Sequence, residues 1–157
     1  GRIFQFLNRD ITGRTWSEER SHPYFKKLVY LGSKTLGDSY WEAELSVPGT
    51  GESVGVIMQG TEQGPTDQEV EFCKWTVSNL DSIFEICRAI IAPDYLKWAK
   101  TDLPYDWRSE FKPDGFQVPT DGDRRHEWDI TYFVPRAGHW FTISLKQGVP
   151  VHVSVDG

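Results

Sequence analysis

Cysteine is scarce in this sequence, whose 157 residues carry two, Cys73 and Cys87. Both fall inside helix-like apolar periodicity rather than in the loop framework of a small disulfide-rich domain, so they read as buried, reduced thiols. One helix would hold their Cα atoms well beyond the about 7 Å that a disulfide tolerates. Long apolar runs are lacking too. The longest, such as Ala89-Ile90-Ile91-Ala92, fall far short of the roughly 20 residues of a membrane-spanning helix. The opening Gly1-Arg2-Ile3-Phe4-Gln5-Phe6-Leu7 has neither the apolar core nor the small-residue cleavage site of a signal peptide. These absences predict a cytoplasmic protein with no membrane among its partners.

Runs of positive charge are missing as well. Seventeen Lys and Arg stand against 23 Asp and Glu, a net charge of −6, and no stretch gathers basic residues without acidic neighbours. Phosphate binding draws on such clusters, so nucleic acid is not expected as a partner. The four histidines, His22, His126, His139 and His152, show no paired helical spacing, and therefore neither a metal site nor any other cofactor is expected. No nucleophile elbow, phosphate loop or dinucleotide fingerprint occurs.

Aromatic residues, by contrast, are abundant: seven Trp, six Tyr and nine Phe, enough to build the core from large rings. Strict alternation marks Tyr40 to Val47, where Trp41, Ala43, Leu45 and Val47 share one face. Further strands are predicted at Lys27 to Leu31, Ser53 to Gln59, Glu127 to Val134, Trp140 to Leu145 and Val149 to Val155. Thr66 with Glu69 three residues on forms a capping box, and from Val70 to Ile91 apolar residues recur every three or four positions. A single long helix over 66–91 fits that stripe better than two helices divided at Ser78-Asn79. Pro93 then suits the first turn of a short helix over 94–100. The expected fold is one α+β domain over 1–157: a two-layer arrangement of an antiparallel sheet of about six strands with the long helix across one face. Residues 1–25 read as an irregular docked arm, and 101–123 as a long irregular crossing.

Chemistry has two candidate places. His126-Glu127-Trp128-Asp129 is the densest polar cluster beside a strand, and a His among carboxylates can serve a small hydrolase as general base; the plainer reading is an exposed strand face. The crossing places Asp102, Asp106, Asp121 and Asp123 around Trp107. An acidic, aromatic-containing ordered loop is a docking surface for a basic protein, with Trp107 as anchor; the plainer reading holds Trp107 as the loop's own attachment to the sheet. Exposed Trp rings also admit a carbohydrate-binding alternative.

Four segments carry a resemblance: Trp41 on an early strand, Val56-Ile57-Met58-Gln59-Gly60, the helix entry Gly64-Pro65-Thr66-Asp67-Gln68, and the closing Val151-His152-Val153-Ser154-Val155-Asp156-Gly157. Over about 39–91 and 126–157 the chain resembles small uncharacterised bacterial α+β domains, some of them thought to be toxin-immunity proteins. The resemblance implies a bacterial, cytosolic, non-enzymatic protein that binds another protein, and it transfers no active-site residues.

Overall fold

The computed structural model describes residues 15–33 and 38–157; most of the expected arm, residues 1–14, lies outside them. Among the described residues, eight strands form one sheet in which every strand neighbours the next in sequence: β1 (Thr15–Arg20), β2 (Lys27–Ser33), β3 (Tyr40–Ser46), β4 (Ser53–Gln59), β5 (Lys112–Gln117), β6 (Trp128–Val134), β7 (His139–Lys146) and β8 (Val149–Asp156). All pairs are antiparallel except β4 with β5, which run parallel. A parallel neighbour needs a crossover of a dozen residues or more, and this one holds two helices, α1 (Asp67–Ser78) and α2 (Leu80–Ala99).

This overturns the expected sheet of six antiparallel strands under one long helix in two layers: the sheet has eight strands and is mixed, and the helix is two. The six strands read from periodicity are all present. The two that were missed have little period to read. β1 is Thr-Trp-Ser-Glu-Glu-Arg, recruited from the expected arm through backbone pairing with β2. Its Trp16 lies opposite Gly32, and its ring occupies the space where a side chain at Gly32 would begin. β5 carries Pro113 and Gly115, which in sequence read as a turn. The strand tolerates the proline because pairing with β4 begins only at Gly115, so Pro113 has a strand neighbour on the β6 side alone, and the β6 register slips past Asp114 just after it.

The capping box forms as expected: Thr66 Oγ1 accepts from the Glu69 amide at 3.2 Å, and Glu69 Oε1 accepts from the Thr66 amide at 2.8 Å. The helix breaks at Asn79. Its side-chain amide donates to the Trp75 carbonyl at 2.8 Å, while its backbone N–H turns to Thr76 at 3.1 Å. The apolar stripe stays in phase across the break, from Val77 to Leu80 and Ile83, so periodicity alone gives no sign of it. α2 then runs through Pro93 and absorbs the short helix expected after it, ending at Lys100 in the left-handed region (φ 62°).

Helix residues Phe72, Cys73, Leu80, Ile83, Phe84, Cys87 and Ile91 join Trp41, Val56, Trp128, Ile130, Tyr132 and Phe141 in one core. Cys73 and Cys87 are both buried and free. Burial pushes the Cys87 thiol up to about 12 and the Cys73 thiol higher still. Among the described residues, no helix is long and apolar enough to cross a membrane.

Candidate functional site

The crossing is less irregular than its composition indicates, because β5 runs through its middle. Asp102, Asp106 and Trp107 precede the strand, whereas Asp121 and Asp123 follow it. The strand between them, six residues and about 20 Å long, divides the predicted acidic surface into two groups held by different helices, the first by α2 and the second against α1.

On the near side the chain is stapled to α2. Trp107 is 4% exposed. Its ring stacks on Phe84 (centroids 4.8 Å, planes 9° apart), and its Nε1 donates to Asp81 Oδ1 at 2.8 Å. Arg108 donates to the same Asp81 oxygen at 3.1 Å and lies over the Trp107 ring. Asp106 caps the following turn of 3-10 helix, accepting from the Arg108 amide. A second attachment comes from Arg88, whose guanidinium donates to the carbonyls of Pro104 and Tyr105, both at 2.8 Å. Between the two attachments stands Tyr105, 96% exposed. Trp107 is thus buried as the loop's own attachment, chiefly to α2 rather than to the sheet, which it meets in an edge contact with Tyr132 at 5.9 Å, and the ring offered to solvent is Tyr105.

On the far side one of the two acids is engaged by a cation. Asp123 accepts from the Arg125 amide at 2.9 Å and from its guanidinium at 2.7 Å, and the Arg125 side chain holds the Asp123 carboxyl well below the usual carboxylate range. Asp121 is exposed, at φ 59° in a short turn. Gly122 beside it, at φ 68°, faces the Gln68 carbonyl at the start of α1, where an added Cβ would stand 2.5 Å from the oxygen.

The polar cluster before β6 does not converge. His126 donates through Nδ1 to the Thr120 carbonyl at 2.9 Å, while Asp129 sits on the sheet face away from the helices, opposite Gln117 and Ser144. Burial, aided by Glu127, pushes the Asp129 carboxyl up to about 6. Glu42 lies on the same face between Val29 and Ile57, 6% exposed, and burial raises its carboxyl to about 7 against the pull of Lys27. Three strand spacings, about 14 Å, separate the two carboxylates, too far for the paired acid and base of a glycosidase at about 5–9.5 Å.

The partly exposed tryptophans offer no shared sugar platform, since Trp16 is on β1 and Trp98 near the end of α2 against His139. A cavity of about 410 Å³ opens beside the β1–β2 connection, lined by Arg20, His22, Phe25 and Lys26 among others. Two of its cations already have partners: Arg20 bonds Glu18 and the Glu62 carbonyl, and Lys26 bonds Ser53. Among the described residues, no three His, Cys, Asp or Glu side chains stand together as a metal site would require. No protein-family model matches the chain, and neither a curated protein nor a solved structure matches it.

Proposed function

We propose that the chain is a non-enzymatic, cytoplasmic protein-binding module of the toxin-neutralising kind, and that it docks a basic partner through the loop around Tyr105. The observation that carries this reading is a tyrosine 96% exposed on a loop attached to α2 on either side of it. Large rings held rigidly at a surface are the residues that supply most of the affinity in protein interfaces. Asp102 and Asp106, both exposed, flank the ring, and the whole chain carries a net charge of −6. Complementary charge of this sign raises the rate of encounter with a basic protein.

The test places a photo-crosslinking phenylalanine analogue at position 105 in the source cell and identifies what is captured. Binding kinetics are then measured on that purified partner. Tyr105→Ala is expected to speed dissociation, at a cost of about 2 kcal/mol if the ring is an anchor. Asp102→Asn with Asp106→Asn is expected to slow association and weaken its salt dependence. Expressing the partner alone should arrest growth, and the parent chain should relieve that arrest. A partner that binds the triple variant as tightly as the parent would overturn the surface; a harmless partner would overturn the neutralising role.

A further inference from the structure

The Tyr105 side chain is 96% exposed, so the pose of its loop is set by what holds the backbone. Four hydrogen bonds converge on Arg88. Its Nη1 donates to the Pro104 carbonyl and its Nη2 to the Tyr105 carbonyl, each at 2.8 Å; Nε and Nη2 also donate to the two oxygens of Glu85, at 3.1 and 2.9 Å. The guanidinium lies over the Phe84 ring, 5.3 Å from its centroid. Phe84 is the same ring that stacks on Trp107. Successive turns of α2 therefore present Asp81, Phe84 and Arg88 on one side, and the loop is fastened to all three: Trp107 and Arg108 to Asp81, Trp107 to Phe84, and residues 104–105 to Arg88.

We infer that Arg88 is the positioning residue of the Tyr105 loop, fixing the outward pose of the ring before any partner arrives. The inference rests on the reading of Tyr105 as a binding anchor. The chemistry favours arginine specifically. A planar fork with five donors reaches two successive carbonyls and a carboxylate at once, whereas a lysine ammonium is a point donor on a flexible stem. A loop ordered in advance loses less freedom on binding, which is how preorganisation raises affinity without a new contact.

The experiment needs no partner. Backbone ¹⁵N relaxation gives order parameters for the Tyr105 and Asp106 amides in the parent, Arg88→Gln, Arg88→Lys and Glu85→Gln proteins. The parent is expected near the rigid value of about 0.85, and Arg88→Gln below about 0.6. Arg88→Lys should fall between them, and Glu85→Gln should match the parent because neither carbonyl bond involves Glu85. Methyl shifts of Ile83 and Ile91 report whether the core is intact, and the lysine variant carries the test if the glutamine variant unfolds. Unchanged order at 105–106 in a folded Arg88 variant overturns the inference, as does equal loosening in Glu85→Gln, which would assign the order to the ion pair. The binding reading fails separately. Tyr105→Ala with undiminished affinity removes the anchor and leaves the clamp standing, while a mobile loop in the parent removes the clamp alone.

Discussion

Acidic residues flank β5 on both sides, and the two sides use them differently. Ahead of the strand, Asp81 on α2 takes the internal work of holding Trp107 and Arg108, which leaves Asp102 at the surface and Asp106 committed to a backbone amide rather than to a cation. Past it, Asp123 closes onto Arg125 and Gly122 seats the turn against the start of α1, while Asp121 stays exposed. Equal formal charge is thus unequal availability. A carboxylate already accepting from a guanidinium has less to offer a partner, and a loop gains a presented ring only where other residues carry its attachment.

The largest effect expected from breaking this arrangement is on the near side. Trp107→Ala removes a buried ring from the Phe84 stack and should cost about 3–5 kcal/mol in urea denaturation, with Phe84→Ala in the same range. A shift under about 1 kcal/mol would mean that the near side is not held through the stack. On the far side, Gly122→Ala adds a Cβ 2.5 Å from the Gln68 oxygen at φ 68°. About 1–3 kcal/mol of destabilisation is expected there, with hydrogen exchange rising at the start of α1 rather than around residue 105.

The contrast between engaged and unengaged acids also has a sign in pH. Arg125 lowers the folded-state value of Asp123, so its contribution is present above the ordinary carboxylate range and is lost as pH falls; Asp123→Asn should flatten the acid limb of a stability profile. Glu42 runs the other way. Its folded value of about 7 stands above the ordinary 4.5, so the folded chain binds the proton more tightly. Stability from this group is full below about 4.5 and is lost as pH rises through 7. Glu42→Gln should therefore stabilise the protein at pH 8 by on the order of 1–3 kcal/mol and remove the slope between pH 5 and 8. A variant whose profile parallels the parent's would show that Glu42 is solvated in the native state. The smallest change is expected at Tyr105, where alanine should stay within about 0.5 kcal/mol of the parent in stability; a larger loss would mean that the ring has a structural role.

Within the crossing, the acidic character and the presence of an aromatic attachment were legible, but their assignment was not. Trp107 has the larger ring and the denser charged surroundings, so it reads as the anchor. In the fold that same size lets it reach Phe84 and Asp81, and the smaller ring at 105 is the one left outside. The hydrolase alternative around His126, Glu127 and Asp129 was readable as a cluster along the chain, yet His126 bonds a turn carbonyl while the strand carries Asp129 onto the sheet face.

Residues that bury one side of an element write its period into the chain, and for that reason Trp41 to Val47, Trp128 to Val134 and the inward-facing Cys73 and Cys87 could be read without coordinates; the capping box at Thr66 could be read because both of its hydrogen bonds are local, three residues apart. Other features were decided only by tertiary structure. β1 and β5 are strands because neighbouring backbones supply their hydrogen bonds, and backbone pairing asks little of the side chains. The break at Asn79 leaves the apolar stripe in phase, so its cause is one side-chain amide competing for a carbonyl. The exposure of Tyr105 depends on Arg88, 16 and 17 positions from the carbonyls it holds. Periodicity records what an element buries along its own length, whereas a contact between distant segments exists only once the chain has folded.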